Sequence, residues 1–472
     1  MKKIRWFDYL TFNINYLGLT TRSQVLAPLL IPLLVQQFVG EETKGAAVGT
    51  IRLWALMTAL LAQALFGLIS DRSMHRWGRR RPFIFGGAIL ELCVFVLIGF
   101  AAQLFEGTTG YIVIFALYVL SMFSSNLGHA ATQGLIPDLV PDEKKGVFSG
   151  IKSLFELPIP VILVSFLIAP MVAQNNIWGA LVTTALVLLV CMAITMFVPE
   201  KPQITSLSPL DWKPFLNLIL MTGLFTIIIL GVGAVVKRSG VIFTTMPWLH
   251  ALIGLVGMSV AVIFGVGFSV RVGLGNIEAG NRKPFTRWVM NRLAFMAALT
   301  NLSTFMIYFL QEKFNFVKEA AAAPASQIMM VVGVFVLVLA IPTGWLADRV
   351  GKTLLLVISG VIACLGTAII IFFPGMMAVM IGALLIGCGA GTFYSANWAF
   401  GTALVPKEHA GKFLGVQNLA GAGAGAIGAY IGGPIGDQLG YIILFGIFGC
   451  LFLLSSLVMV GVAQPEKNKI TA

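Results

Sequence analysis

The chain has 472 residues, of which 58% are hydrophobic and only 11% are charged. A soluble domain carries about 25% charged residues, so this composition excludes a soluble fold and indicates that lipid is the solvent. The net charge of +12 comes from basic residues in short loops rather than from a stripe on one face, which argues against a nucleic-acid partner.

Long apolar runs recur along the chain, and a helix needs about 20 apolar residues to cross the hydrocarbon. Six runs come first, and a polar linker follows at 199–214. Two more runs are joined by a predicted tight turn at Lys237–Gly240, and six others complete the chain. We therefore predict an all-α polytopic membrane protein of about fourteen transmembrane helices. The runs cover residues 13–39, 46–69, 82–105, 111–135, 147–172, 177–198, 215–236, 241–270, 288–310, 327–347, 354–373, 376–404, 413–435 and 441–462.

Basic residues concentrate in alternate loops between these runs, with five arginines in the loop of residues 70–81. By the positive-inside rule this pattern predicts that both termini face the cytoplasm, in the cytoplasmic membrane. Lys237 and Arg238 are the exception to the pattern. The first run lacks a small-residue cleavage site, so we interpret it as a retained helix rather than a signal peptide.

An internal repeat divides the chain into two halves. Residues 139–154 match residues 404–419 at eight of sixteen positions, and Gly67-Leu-Ile-Ser-Asp-Arg72 is echoed by Gly344-Trp-Leu-Ala-Asp-Arg349. Two equivalent six-helix bundles explain both echoes, and the two middle runs are then an insertion. The predicted divisions are an N-terminal bundle at 1–198, a linker with the inserted helix pair at 199–287 and a C-terminal bundle at 288–472.

One charged motif follows the second helix in each half of the chain. Asp71 ends its helix, where the helix dipole disfavours an anion, so it needs a partner such as an arginine from residues 72–81. Asp348 and Arg349 are the equivalent pair. A clamp that forms in one conformation and breaks in another suits a gate, and a static loop anchor is the alternative. The predicted gating clamp comprises Gly67, Asp71, Arg72, Arg79, Arg80, Gly344, Asp348 and Arg349.

The first of these motifs, followed by Trp77-Gly-Arg-Arg-Arg81, resembles the loop signature of the major facilitator superfamily. The run Gly78–Ile84 is further similar to sucrose-type glycoside–cation symporters. The resemblance implies two six-helix bundles that rock about a central cavity, lined by the first and fourth helices of each bundle. Sucrose-type proteins carry an acidic residue and an arginine on the fourth helix. Met122 and Gln133 stand there in this chain, so those roles do not carry over.

Charged residues at bilayer depth are costly and are therefore site candidates. Arg22 lies near the middle of the first predicted helix, and we predict that it binds an anion; the alternative is an arginine satisfied within a structural network. Glu91 also lies deep in its predicted helix, and we interpret it as a residue that pairs with a structural partner rather than one that acts in transport. Lys152 and Glu156 stand one turn apart and can pair. A carboxylate that exchanges cationic partners can bind and release a proton, so Glu156 is the predicted coupling residue.

Uncharged polar and aromatic residues in the runs suit a sugar or another hydroxylated ligand. His129 could titrate near neutral pH or be a packing residue, and Trp398 could stack on a ring or pack at an interface. The predicted substrate-binding set is Arg22, Asn126, His129, Gln133, Lys152, Asn301, Tyr394, Asn397 and Trp398.

The sequence shows no catalytic triad, metal-ligand spacing or nucleotide fingerprint, so we predict no enzyme activity, cofactor or metal. The leading hypothesis is a secondary active transporter that works by alternating access. It couples the entry of a cation, in particular a proton, to symport of a sugar-like or anionic solute, and we predict that it is a monomer. One alternative is an exporter of amphipathic compounds. Another is a non-transporting membrane receptor or assembly factor on the same scaffold.

Overall fold

The computed structural model describes residues 5–200, 202, 212–274, 282–404 and 410–462. All regular structure in this part of the chain is helical, which confirms the predicted all-α class. The fourteen long helices are α1 (Trp6–Val39), α2 (Lys44–Asp71), α3 (Arg81–Leu104), α4 (Gly107–Leu139), α5 (Glu143–Ala173), α6 (Ile177–Thr195), α7 (Lys213–Ile242), α8 (Pro247–Leu274), α9 (Arg282–Phe314), α10 (Ala322–Val350), α11 (Lys352–Phe372), α12 (Met376–Leu404), α13 (Ala410–Leu439) and α14 (Tyr441–Met459).

These helices have the length and composition of membrane spans. In the described residues, 13 helices are long and apolar enough to cross a bilayer. A helix satisfies its backbone hydrogen bonds internally, which is why it tolerates lipid on every side. One further helix, α13, is rich in glycine and alanine and carries polar residues near both ends, Lys412, Gln417 and Asn418 near its start and Asp437 and Gln438 near its end.

Two of the helices deviate where proline removes a backbone donor. In α1, residues Leu26–Leu30 adopt a π-helical turn around Pro28. In α5, the chain leaves helical geometry at Leu157, with φ −127° and ψ −70°, directly before Pro158. The break in α5 follows Glu156 immediately, so the carboxylate sits beside an interruption of the helical geometry.

The connection between α7 and α8 corrects one prediction. The expected turn at Lys237–Gly240 is wrong, because α7 continues through these residues to Ile242 and turns at 243–246. The Ser239 hydroxyl donates to the carbonyl of Val236 within the helix and lies 2.9 Å from Nδ1 of His250 on α8. The lysine and arginine are long enough to extend their charges from a helix end toward the interface.

The described chain divides into two compact units that are not continuous in sequence. The first comprises Met1–Lys44, Trp54–Leu216 and Phe314–Met330, and the second comprises Gly45–Leu53, Asn217–Lys313 and Val331–Ala472. The inserted pair α7–α8 thus clusters with the second unit. The three-segment division by sequence stays a prediction about chain organisation.

Small residues let helices of the first unit approach closely. A Cβ on Gly87 of α3 would lie 2.7 Å from the amide nitrogen of Gly128 and 2.8 Å from the carbonyl oxygen of Ser124, both on α4. These are backbone atoms and do not move aside as a flexible side chain would. Such close backbone approach is a principal source of helix association in lipid.

The adjacent glycine provides a matched test of this packing. Gly87→Ala is expected to lower stability by about 1–3 kcal/mol, because the added methyl group overlaps the α4 backbone. Gly86→Ala should not lower stability, since its Cβ would meet nothing closer than a Leu127 methyl at 4.0 Å and alanine favours the helix. Thermal midpoints measured by fluorescence-detected gel filtration check both variants, and equal midpoints would contradict the packing interpretation.

Within the second unit, the inserted pair packs against α13. Phe225 of α7 occupies the space left by Gly423 of α13 and Gly265 of α8, since a Cβ on either glycine would meet its ring within 2.4 Å. Tyr430 of α13 fills the equivalent space beside Gly233 of α7. The insertion is therefore integrated into the helix packing of this unit.

The first residues of α2 are also anchored in the second unit. Asp437 of α13 accepts hydrogen bonds from the amides of Gly45, at 2.7 Å, and Ala46, at 2.8 Å. A carboxylate is favourable at a helix N-terminus, where the amides lack partners within the helix. The Tyr441 hydroxyl donates to the same carboxylate at 2.8 Å and holds it in place.

Candidate functional site

A cluster of charges joins one end of α2, α3 and α4 in the first unit. Arg80 is its centre: the guanidinium contacts Asp71 at the end of α2 and donates to Asp138 of α4 from Nε at 3.0 Å. Its Nη1 donates to Ser70 at 2.7 Å, and Arg79 also reaches Asp138, at 2.5 Å. Arg80 is thus the arginine from residues 72–81 that pairs with Asp71.

Glu200, after α6, extends this cluster through the backbone. Its carboxylate accepts from the amide of Arg80 at 2.9 Å and from the amide of Arg81 at 3.2 Å, at the start of α3. Gly78 has φ +102°, and a Cβ there would lie 2.4 Å from a Glu200 carboxylate oxygen. Both the turn and the close approach require glycine at this point of the motif.

The second copy of the motif has different contacts. The Arg349 guanidinium lies 3.8 Å from the ring centroid of Trp345, a cation–π contact one turn away on α10. The side chain of Asp348 lies outside the described part of the chain. Gly67 and Gly344 each have open space where a Cβ would project, and among the described residues Nε of Arg72 has no hydrogen-bond partner. The gating role of both motifs stays a prediction.

A second charged group is buried within the first unit, between α1, α3 and α4. Arg22 Nε donates to Glu91 at 2.7 Å, and the two side chains are only 3% and 2% exposed. Ser121 lies between them, accepting from Arg22 and donating to Glu91 at 2.5 Å. Ser124 donates to the other Glu91 oxygen. Glu91 compensates the charge of Arg22 in this structure, as in the alternative of an arginine satisfied within a structural network, and anion binding by Arg22 stays a prediction.

Six polar side chains form a connected path in the first unit, which we call the polar track. Its α4 members are His129 and Gln133, whose side-chain nitrogens lie 3.1 Å apart, one helical turn from each other. Gln63 of α2 donates to Gln133 at 3.1 Å. The track therefore links two of the predicted substrate-binding residues to α2.

The polar track continues from α4 through α1 to α5. The Tyr16 ring meets the His129 ring edge-on, with centroids 6.1 Å apart. Lys152 Nζ lies 4.6 Å from the centroid of the Tyr16 ring and 3.6 Å from the Glu156 carboxylate. One cation is thus shared between an aromatic face and a carboxylate. Asn126 is not part of the path, since its amide donates to the Met122 carbonyl of its own helix at 2.8 Å.

The predicted residues of the second unit separate into buried and exposed members. Asn301 is fully buried and donates to the Ala297 carbonyl of α9 at 2.8 Å, and it faces Gly428 of α13. It therefore packs between two helices in this conformation. Tyr394 and Trp398 of α12 are 37% and 58% exposed.

Asn397 leads to a residue that was not predicted from the sequence. Its side-chain oxygen accepts from Arg292 of α9 at 2.8 Å, and its backbone carbonyl accepts from the Trp288 indole at 3.1 Å. The signal for Arg292 was a basic residue inside the predicted span 288–310. Arg287, five residues earlier, belongs to the basic residues of the preceding loop.

Histidine, cysteine and acidic side chains are scattered through the described chain. No group of three or more histidine, cysteine or acidic side chains there is arranged to hold a metal ion. The five cysteines are free thiols. The polar groups available for function are therefore the charged cluster around Arg80, the buried Arg22–Glu91 pair, the polar track and the residues around Arg292.

Comparison with known proteins assigns the family. Residues 10–299 and 289–471 each match the sequence profile of the Major Facilitator Superfamily. The chain belongs to the major facilitator superfamily. The two matched segments overlap at residues 289–299, and the Arg80 cluster lies in the first of them, in the loop whose motif carried the resemblance.

Two similar superfamily members among curated proteins are plant sugar transporters. D-xylose-proton symporter-like 3, chloroplastic, of Arabidopsis thaliana is 30% identical over 159 residues, which cover 32% of this chain and 28% of that protein. Sucrose transport protein SUT1 of Oryza sativa subsp. japonica is 31% identical over 100 residues, 18% of each chain. The matches thus span less than a third of the length of either relative.

Solved structures of major facilitator proteins cover nearly the whole chain. A D-xylose-proton symporter aligns with a TM-score of 0.67 and 16% identity, over 98% of both chains. A POT family transporter in complex with 5-aminolevulinic acid aligns with a TM-score of 0.68 and 14% identity, over 96% of this chain and 94% of that one. At these identities the likeness establishes the transporter fold alone.

Proposed function

We propose that this protein is a secondary active transporter that couples proton entry to symport of a sugar-like or anionic small solute by alternating access. It acts as a monomer in the cytoplasmic membrane, with both termini in the cytoplasm. The polar track is the observation that carries the proposal: six linked polar side chains lie on four membrane-spanning helices, where polar and charged groups are costly and usually functional. The similarity to proteins named as sugar–proton symporters supports it.

The coupling step is assigned to Glu156. This carboxylate is 42% exposed, and its nearest cation, Lys152, is 27% exposed and also contacts the Tyr16 ring. A proton on Glu156 removes the attraction that holds Lys152 beside it, and the ammonium group can then move along the polar track. The helix break at Leu157 gives α5 a point at which to bend when this contact changes.

Glu156→Gln is expected to abolish the stimulation of uptake by an inward proton gradient while downhill flux persists, because glutamine keeps the shape and cannot exchange a proton. Purified protein in liposomes, tested with labelled D-xylose, sucrose and D-glucuronate at imposed pH differences, checks this. Glu143→Gln, an exposed change near the other end of α5, is the matched control. Proton-driven uptake equal to wild type in Glu156→Gln would remove the coupling assignment, and no flux of any solute would remove the transport proposal.

A further inference from the structure

Arg292 has an unusual setting for a charge inside a spanning helix. It lies ten residues after the start of α9, about 15 Å along the helix at 1.5 Å per residue. Its one hydrogen bond to the described residues goes from Nη1 to the neutral side-chain oxygen of Asn397, at 2.8 Å. Its Nε is buried and has no partner there.

Arg292 differs from Arg22 in that no described residue supplies its counter-charge. Both arginines are inside helices that cross the membrane, and Arg22 is compensated by Glu91 with help from Ser121. No described carboxylate forms an ion pair with Arg292. A guanidinium held in a low-dielectric setting without a counter-charge is unfavourable, and an anion that binds there is correspondingly stabilised.

The donors of Arg292 are arranged for a bidentate ligand. Asn397 takes Nη1, which leaves the edge formed by Nε and Nη2 without a partner among the described side chains. Two parallel N–H groups on one edge of a guanidinium match the two oxygens of a carboxylate or of a phosphate group. Tyr394 lies one turn before Asn397 on α12, and its side chain is 37% exposed.

We infer that Arg292 binds an oxyanion, the carboxylate or phosphate group of the transported solute. Asn397 fixes the guanidinium, and the exposed rings of Tyr394 and Trp398 adjoin the remainder of the solute. The inference rests on the proposed transport function and narrows its substrate to anionic solutes. It also transfers the anion-binding role predicted for Arg22 to a residue of the other unit.

Labelling of arginines by phenylglyoxal, read out residue by residue by mass spectrometry on the purified full-length protein, tests the site directly. Acetate and inorganic phosphate are the probes, and acetamide is the neutral match for acetate. We expect acetate or phosphate, or both, to slow modification of Arg292 saturably, and which of them acts identifies the oxyanion. Acetamide should have no effect, and the exposed Arg287 should be labelled at the same rate throughout.

Variants make the test independent of labelling chemistry. D-glucuronate should raise the thermal midpoint of the wild-type protein where D-glucose does not, and Arg292→Gln should weaken this response by about tenfold or more in concentration. Asn397→Asp should abolish it, because the new carboxylate occupies the guanidinium. Gel-filtration profiles establish that both variants fold.

Three outcomes would overturn the inference: equal protection by acetamide, no protection by either anion, or a glucuronate response unchanged in Arg292→Gln. Binding in detergent requires no flux, so the two proposals fail separately. Loss of oxyanion protection with intact proton-driven uptake removes the anionic class alone. Saturable protection without uptake of any solute keeps the site and removes transport.

Discussion

Glu91→Ala is expected to destabilise the protein by about 3–5 kcal/mol, because it leaves the Arg22 guanidinium buried without its counter-charge. Both side chains are almost fully inaccessible, so solvent screening does not reduce the effect. Ser121 and Ser124 also lose the carboxylate to which they donate. The thermal midpoint in detergent and the yield of monodisperse protein measure the loss.

A double variant distinguishes compensation from simple loss of packing. Arg22→Met with Glu91→Leu removes both charges and keeps side chains of similar length, so it should recover most of the stability that Glu91→Ala loses. Glu106→Ala changes an exposed glutamate directly before α4 and serves as the surface control. A double variant no more stable than the single one would show that the charge of Arg22 is not what makes Glu91 necessary.

Arg80→Ala should cause a comparable loss, about 3 kcal/mol or more, since one buried guanidinium joins α2 and α4 at the start of α3. Arg80 is 6% exposed and Asp138 is 19% exposed, whereas Asp71 is half exposed. The contribution of the Arg80–Asp71 contact is therefore weakened by solvent, and the larger part of the loss comes from Asp138 and Ser70.

A lysine at position 80 tests whether the planar guanidinium group of Arg80 is required, or only its positive charge. Arg80→Lys keeps the charge and loses the simultaneous contacts to Asp71, Ser70 and Asp138, so its thermal midpoint should fall between those of Arg80→Ala and wild type. Arg76→Lys, in the exposed part of the same loop, should match wild type. If Arg80→Lys were as stable as wild type, the planar fork would have no structural importance.

Hydropathy predicted the helices well and their ends less well. Fourteen apolar runs became fourteen helices, because in lipid a backbone segment of this length has no alternative to internal hydrogen bonds. The error at α7 arose because Lys237-Arg238-Ser239-Gly240 has the composition of a turn. In the structure Ser239 is buried and contacts His250 of α8, a packing partner that the local composition does not reveal.

The candidate site was less predictable, since its partners are distant in sequence. The depth of Arg22 follows from counting residues, but Glu91 is 69 positions away and no local pattern links the two. In the same way, the motif placed Arg80 near Asp71, whereas Asp138 and Glu200 converge on it from 58 and 120 residues away. The Lys152–Glu156 pair could be predicted from the sequence, because residues four apart on a helix lie close enough to contact each other.

The packing of α7 and α8 against α13 has a consequence for biogenesis. During synthesis the inserted pair enters the bilayer long before α13. The ring of Phe225 therefore has no contact with Gly423 until α13 has been inserted. The last part of the second unit then assembles onto a surface already in place. Removing the pair would preserve the orientation of everything that follows, because two crossings are lost together. The deletion would instead weaken the packing of α13, because its small-residue face would contact lipid tails in place of α7 and α8.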